Sequence, residues 1–207
     1  MFLFTILMAV GYLIGSFNTS IVYSLNNFRK DIRSQGSGNA GTTNMLRSFG
    51  KVGAAVTFLG DILKAVISIG IAWFFYRNAL NVELVKALVG LACVIGHCFP
   101  IFFQFKGGKG IATGAGCLLM LDWRAFLVAI SLFALIVCIT RYVSLGSIVG
   151  ALTYPIGMIV VGKDVATIIV AVLTAALILI MHRKNIRALC NGTERKIGKT
   201  KPKGASV

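Results

Sequence analysis

Residues 53–76 read GAAVTFLGDILKAVISIGIAWFFY, a stretch in which only Asp61 and Lys64 carry charge. A helix needs about 20 predominantly apolar residues to cross roughly 30 Å of hydrocarbon. The two charged residues lie one helical turn apart, where they can neutralise each other. Ionisable residues at this depth form either a functional element or a structural ion pair. The stretch itself predicts a transmembrane helix.

Similar runs cover most of the chain. Of the 207 residues, 57% are hydrophobic and 13% are charged, against roughly 45–50% and 25% in a soluble domain. Runs bounded by charges or by Gly and Pro occur at 2–25, 53–76, 84–103, 110–121, 125–140, 143–161 and 165–181. The fourth is too short to cross alone unless its helix begins in the preceding glycine loop. We predict an all-α, polytopic transmembrane bundle of about seven spans.

The positive charge is crowded onto one face of this predicted bundle. With seven spans, sixteen of the 21 Lys and Arg residues fall on one face, which carries a net charge of +14 against +1 on the other. Cytoplasmic loops carry the Lys/Arg excess in membrane proteins. The N-terminus is therefore predicted outside and the C-terminus in the cytoplasm.

Composition also argues against several other classes. The net charge of +15 would suit a nucleic-acid binder, but the hydropathy does not. The five cysteines show no CxxC spacing, so we expect neither a disulfide framework nor a zinc or other metal site. We also expect no cofactor. The first apolar run is longer than the apolar core of a signal peptide, so we interpret it as the first transmembrane span. Residues 1–194 are predicted to form one membrane domain, and the basic residues 195–207 a disordered tail attracted to anionic lipid headgroups.

Three polar segments fall on the basic face, and the first, residues 33–47, reads RSQGSGNAGTTNMLR. Its glycines permit tight turns, and its arginines can fork onto phosphate oxygens. The segment also fits the dinucleotide-binding pattern GxGxxG, but that pattern requires a preceding strand. A transmembrane run precedes it here. The remaining alternatives are a binding loop and glycines that only shape a turn.

The second segment, residues 96–113, reads GHCFPIFFQFKGGKGIAT. Its KGGKG sequence opens an apolar helix, and free N–H groups at a helix start attract phosphate. It is not a Walker A loop, since Gly110 stands where that motif requires Ser or Thr. His97 is either a base or a packing residue. The third segment, residues 182–194, reads HRKNIRALCNGTE and places His182 and Asn185 one turn apart if helical.

Together these segments resemble a known family. They contain Gly-Ser-Gly-Asn-x-Gly-x-Thr-Asn-x-x-Arg, then Gly-His-x-x-Pro-x-Phe-x-x-Phe-Lys-Gly-Gly-Lys-Gly, then His-x-x-Asn-Ile and Gly-Thr-Glu. In this order they resemble the bacterial acyl-phosphate:glycerol-3-phosphate acyltransferases, multi-pass proteins of the cytoplasmic (inner) membrane. The resemblance implies transfer of a fatty acyl group from acyl phosphate to the sn-1 hydroxyl of glycerol 3-phosphate, with the active site facing the cytoplasm. Lysophosphatidic acid and phosphate would be the products.

The resemblance also implies residue roles. Ser37 and Arg47 are expected to be essential, His182 and Asn185 to contribute to activity, and Glu194 to be structural. The residues expected to bind substrate are Gly38, Asn39, Thr43, Asn44, Lys106, Gly107, Gly108, Lys109, Gly110 and Ser144. Two positions depart from the family pattern, since Thr42 replaces the usual Ala and Ala188 a common Arg. The second departure leaves one expected cation missing.

The proton acceptor is the open part of the mechanism. Acyl transfer needs a base and donors for the developing oxyanion. The HxxxxD pair of acyl-CoA-dependent glycerolipid acyltransferases is absent, because Phe102 and Arg187 stand where the Asp would follow His97 and His182. A phosphate ester has a second pKa of about 6, so we predict that substrate phosphate accepts the proton. Acylation of Ser37 is the alternative.

Two other functions compete with this prediction. A transporter of phosphorylated solutes would suit the many helices, but such proteins usually bind substrate near the membrane midplane on broken helices. Here the polar segments lie at one surface. A non-catalytic scaffold would leave all three segments unexplained. The sequence carries no prediction of acyl chain length, substrate order or oligomeric state.

Overall fold

The structure, a computed structural model, describes residues 2–198 and contains nine α-helices and no strand within that range. The helices are α1 (Phe2–Ser16), α2 (Thr19–Phe28), α3 (Thr42–Tyr76), α4 (Val82–Cys98), α5 (Ile111–Leu121), α6 (Trp123–Thr140), α7 (Val143–Val160), α8 (Val165–Met181) and α9 (Arg183–Cys190). Short 3₁₀ turns occupy Ile32–Ser34 and Ile101–Phe103. The predicted all-α class is confirmed.

The outer surface of the bundle is apolar. Large hydrophobic side chains such as Leu59, Ile139 and Val160 are exposed along the helices, as expected of surface that contacts lipid tails and not water. Inside, helices approach closely where a side chain is missing. A Cβ at Gly15 would lie 2.1 Å from the carbonyl oxygen of Cys93 on α4. Close approach through small residues is typical of membrane helix pairs.

Among the described residues, five helical stretches are long and apolar enough to cross a membrane: Phe2–Phe28, Thr42–Tyr76, Val82–Phe103, Trp123–Thr140 and Val143–Val160. A sixth combines α8 with α9, which are bent by 61°. Helix α5 has 11 residues and is about 16 Å long, roughly half the hydrocarbon thickness. Gly110 before α5 and Val143 after α6 line the same cavity. Helices α5 and α6 together therefore lead the chain away from this end of the bundle and back to it. The seven crossings and the orientation of the termini stay predictions.

Two boundaries differ from the predicted spans. The first run is broken at Asn18, whose side chain accepts a hydrogen bond from the amide of Ile21 and caps α2. Helix α3 begins at Thr42 and not near residue 53, and Gly50 interrupts it with φ +83°. Glycine adopts this left-handed conformation without strain. The end of the first polar segment is therefore a short helix joined to the long span at a kink.

The end of the bundle opposite the polar segments is held by a carboxylate between two lysines. Glu83 at the start of α4 accepts hydrogen bonds from Lys86 (2.8 Å) and from Lys163 (2.6 Å) in the connection between α7 and α8. These contacts tie the first turn of α4 to the far end of the chain. The three polar segments lie at the other end of the bundle.

Candidate active site

The first and second polar segments are joined through Arg33. Its guanidinium forms an ion pair with Asp31 at 2.7 Å and donates to the carbonyl oxygens of Phe103 (2.8 Å) and Lys106 (3.3 Å). The Asp31 carboxylate holds the pKa of Arg33 above its usual value. Arg33 was expected to bind phosphate; the structure instead uses it to hold the two segments together.

Asn44 organises the loop that precedes α3. Its side-chain nitrogen donates to the carbonyls of Ile32, Gln35 and Asn39, and its side-chain oxygen accepts from the amide of Ser37 at 2.9 Å. The residue is only 1% exposed. Although Asn44 borders the cavity described below, its amide is occupied by the loop. The geometry therefore favours a positioning role over the expected substrate contact.

The glycine loop of the second segment is bonded to the end of α4. Gly107 donates its N–H to the carbonyl of Cys98 (3.2 Å) and Gly108 to that of His97 (3.1 Å). A Cβ at Gly107 would lie 2.0 Å from the oxygen of His97, and one at Gly108 2.1 Å from its ring Nε2. Glycine is needed here for close approach to α4. These two amides were expected to bind an anion, but they are already used.

A cavity of about 300 Å³ lies where the three segments meet. Its wall includes many of the residues singled out from the sequence, namely Ser37, Asn39, Thr43, Asn44, Arg47, Asp61, Lys109, Gly110, Ser144, His182, Asn185 and Glu194. Gly38, Lys106, Gly107, Gly108 and Lys64 are not part of the wall. Lys106 is exposed, and it contributes its carbonyl to Arg33. The second segment reaches the cavity through His97 and residues 109–112, and the third through His182, Asn185 and Glu194.

Lys109 is held by a chain of polar contacts. Its ammonium donates to the side-chain oxygen of Asn185, whose nitrogen donates to Glu194 at 2.9 Å. Burial lowers the pKa of Lys109, with Glu194 raising it and the nearby Arg47 lowering it again. Arg47 donates to the carbonyl of Arg195 at 3.2 Å. Two cations thus share this side of the cavity, and a negatively charged ligand would relieve their repulsion.

His182 is placed as a hydrogen-bond acceptor toward the cavity. It is 4% exposed, and its Nδ1 lies 2.8 Å from the carbonyl oxygen of Ile178. A carbonyl only accepts, so Nδ1 carries the proton and Nε2 keeps a lone pair. Burial lowers the pKa of His182 to about 4; the Ile178 carbonyl and Glu194 raise it, and Lys109 lowers it. His182 is therefore neutral, and a weak base, near neutral pH.

Two hydroxyl groups border the cavity with different surroundings. The Oγ of Ser144 is buried and has no hydrogen-bond partner in the described part of the chain. A buried polar atom without a partner is costly, so its position in the cavity wall favours a contact with a bound ligand. Ser37 is exposed at the first segment, and its backbone amide is fixed by Asn44. No basic side chain among residues 2–198 is hydrogen-bonded to its hydroxyl.

Known proteins share this architecture. The family profile described as Glycerol-3-phosphate acyltransferase matches residues 5–192. The chain belongs to the glycerol-3-phosphate acyltransferase family. A relative of that name from Clostridioides difficile (strain 630) is 45% identical over 201 residues, covering 97% of this chain and 98% of the relative. One from Syntrophomonas wolfei is 40% identical over 191 residues, covering 92% and 95%.

Solved structures agree with this family assignment. The crystal structure of PlsY (YgiH), an integral membrane glycerol 3-phosphate acyltransferase, in its glycerol 3-phosphate form has a TM-score of 0.88 and 35% identity, and the match covers 94% of this chain and 96% of that one. Its lysophosphatidic acid form gives 0.85 and 34%, covering 94% and 95%. At these values the shared fold extends over nearly the whole bundle of this acyltransferase family member.

Some residues of the cavity were missed or left undecided by the sequence. His97, undecided between base and packing residue, lies in the wall beside Asp61. Ile197 was assigned to the disordered tail, but it lines the cavity and donates its N–H to the carbonyl of Arg141 at 2.8 Å. Polar patterns cannot indicate such an apolar contact. The rest of the predicted tail, residues 199–207, lies outside the described residues.

Proposed function

We propose that this chain transfers a fatty acyl group from acyl phosphate to the sn-1 hydroxyl of glycerol 3-phosphate, giving lysophosphatidic acid and phosphate. The observation that supports it most is the single cavity in which Arg47, Lys109 and His182 from the three segments meet. Family membership supports the alcohol substrate, because the relatives are named for it. The donor and the residue roles are our inference.

Arg47 and Lys109 would bind substrate phosphate. A guanidinium and an ammonium bind phosphate through charge-assisted hydrogen bonds. Ile111 and Ala112, in the first turn of α5, also border the cavity. The N–H groups of a first helical turn have no partner within the helix and can bind an anion. Asn185 and Glu194 would keep the Lys109 ammonium aimed at the ligand.

An apolar cavity beside the polar one would take the first carbons of the acyl chain. It has a volume of about 60 Å³ and is lined by residues of α3, α5, α6, α7 and α8. Phe58, Ile111, Phe133 and Ser147 line both cavities. A mixed anhydride bound across this boundary would have its chain among apolar side chains and its phosphate among cations. Burial of each CH₂ contributes about 0.8 kcal/mol.

The chemistry proposed is direct transfer assisted by the substrate. The sn-1 oxygen attacks the acyl carbon, the bond from that carbon to the phosphate oxygen breaks, and the hydroxyl proton passes to a phosphate oxygen. His182 is too weak a base near neutral pH to take this proton, whereas a phosphate ester has a second pKa of about 6. The Ser144 hydroxyl, which has no hydrogen-bond partner in the described residues, would donate a hydrogen bond to the developing oxyanion.

The site is proposed to face the cytoplasm of a bacterial cell. The three polar segments meet at one cavity. With the predicted seven crossings, most of the Lys and Arg residues fall on the same face as these segments, and cytoplasmic loops carry that excess. Acyl phosphate, with a long apolar chain, would reach the cavity from the lipid. Glycerol 3-phosphate would enter from water on the same side.

A product assay tests this proposal. Purified protein would receive labelled glycerol 3-phosphate with either palmitoyl phosphate or palmitoyl-CoA, and lipids would be separated by chromatography. We expect labelled lysophosphatidic acid from acyl phosphate only. Product from acyl-CoA alone would refute the donor, and no product from either would refute the function. Arg47→Gln should abolish activity, whereas Lys51→Gln, an equal change of charge on the exposed side of α3, should not.

A further inference from the structure

Asp61, Lys64 and His97 form a buried cluster at the cavity wall. The Lys64 ammonium lies 3.0 Å from Asp61 Oδ1, 2.8 Å from His97 Nδ1 and 3.3 Å from the carbonyl oxygen of Phe17. Asp61, Lys64 and His97 are 1%, 5% and 3% exposed. All three donors of the ammonium are thus used. The lysine is enclosed by acceptors, while Asp61 and His97 face the cavity.

The contacts fix the tautomer of His97. An ammonium can only donate, so His97 Nδ1 accepts from Lys64 and the ring proton lies on Nε2. The alternative, a proton on Nδ1 shared with Asp61, is disfavoured because those atoms are 3.6 Å apart and Lys64 is closer. His97 Nε2 is therefore a neutral N–H donor. This nitrogen packs against Gly108, since a Cβ added to Gly108 would lie 2.1 Å from His97 Nε2. Among residues 2–198, no acceptor is hydrogen-bonded to Nε2.

Asp61 offers an acceptor next to this donor. The Thr19 hydroxyl (3.2 Å) and the Lys64 ammonium (3.0 Å) both donate to its Oδ1. With Oδ1 engaged, Oδ2 is the oxygen left for a ligand in the cavity. A neutral donor and a carboxylate oxygen on one wall make a poor phosphate site, since the carboxylate repels an anion. They suit a hydroxyl group, which donates and accepts at once.

We propose that His97 Nε2–H and Asp61 Oδ2 bind the secondary hydroxyl of glycerol 3-phosphate, with Lys64 as the positioning residue. The proposal rests on the function proposed above, which places the phosphate on Arg47 and Lys109. A hydroxyl held by a carboxylate that is itself paired with an ammonium keeps its proton. The contact therefore fits the hydroxyl that does not react. Fixing it would turn the primary sn-1 hydroxyl toward the acyl group.

Binding measurements with two ligands test the subsite. Glycerol 3-phosphate would be compared with 3-hydroxypropyl phosphate, which keeps the phosphate and the primary hydroxyl but lacks the secondary one. The Kd of each would be measured by equilibrium dialysis, without acyl donor, on wild type, His97→Asn and His97→Gln. Asparagine keeps an acceptor near Nδ1 for Lys64 but has no N–H at the Nε2 position. Glutamine can place an amide N–H there.

We expect His97→Asn to weaken glycerol 3-phosphate binding about tenfold, equivalent to about 1.4 kcal/mol, and to leave 3-hydroxypropyl phosphate within twofold of wild type. His97→Gln should restore much of the difference. An equal loss for both ligands would overturn the proposal, because it would place His97 on the phosphate or in the fold. No loss for either would also overturn it. Wild type that binds glycerol 3-phosphate but makes no product from acyl phosphate would refute the proposed function and leave the subsite standing.

Discussion

Replacing Gly107 by alanine would test the geometry of the glycine loop. The added Cβ would lie 2.0 Å from the carbonyl oxygen of His97, 2.6 Å from Cδ of Pro100 and 2.9 Å from the oxygen of Cys98. None of these atoms is the end of a flexible side chain. Since Cβ contacts under 3.0 Å are essentially never seen, the loop must move by about 1 Å away from α4.

The movement has two consequences whose size can be worked out. The hydrogen bonds from Gly107 and Gly108 to the end of α4 would be lost or stretched, at about 0.5–1.5 kcal/mol each. Lys109 follows directly and would shift from the cavity side that it shares with Arg47. A displacement of about 1 Å at a catalytic centre can cost about 100-fold in rate. We therefore expect kcat/KM for glycerol 3-phosphate to fall about 100-fold.

The assay is acyl transfer from acyl phosphate, run beside a thermal melt in detergent. Gly70→Ala on α3 is the matched control, because a Cβ there meets no atom within 4 Å; it should keep full activity. Kinetics of Gly107→Ala within twofold of wild type would refute the argument that close packing of this loop places Lys109.

Three further changes give distinct results. Asn185→Asp puts a carboxylate between Lys109 and Glu194, so the Kd for glycerol 3-phosphate should rise at least about tenfold; Asn191→Asp, exposed at the end of α9, should leave it unchanged. His182→Gln should lower kcat but keep the limb near pH 6 in the kcat/KM profile, since the pKa of His182 is lowered to about 4 and the substrate phosphate titrates there; loss of that limb would assign the proton to His182. Glu83→Gln removes the carboxylate between Lys86 and Lys163, so the Tm should fall by a few degrees while kcat/KM stays unchanged. A large loss of activity would contradict the conclusion that Glu83 lies away from the active site.

The membrane helices were largely visible in the sequence because each is a run with little charge. The all-α class and the three polar segments followed from such runs and from the charged loops between them. What could not be predicted were the breaks within and next to these runs. The short helix that carries Arg47 is separated from its span by Gly50, whose positive φ interrupts α3. The break at Asn18 likewise depends on a local cap within an otherwise apolar run.

In the active site, too, the residue types could be recognised from the sequence, whereas some of their contacts could not. The residue types were recognisable, and Arg47, Lys109, His182 and Asn185 do border one cavity. The partner of His97 was not recognisable, because Lys64 lies on another helix and 33 residues away in the chain. A lysine within a predicted span was the one signal available, since a buried ammonium needs several acceptors. The role of the KGGKG loop also changed, because two of its amides are hydrogen-bonded to the end of α4; we propose that the anion is bound by the side chain of Lys109 and the start of α5 instead.

The central claim is that one cavity binds the phosphate of glycerol 3-phosphate through cations from separate segments. A crystal structure of this protein with glycerol 3-phosphate tests it most directly. We predict phosphate oxygens within about 3 Å of both the Arg47 guanidinium and the Lys109 ammonium, the distance of a charge-assisted hydrogen bond. A phosphate bound on α9, or at the opposite end near Lys86 and Lys163, would contradict the account.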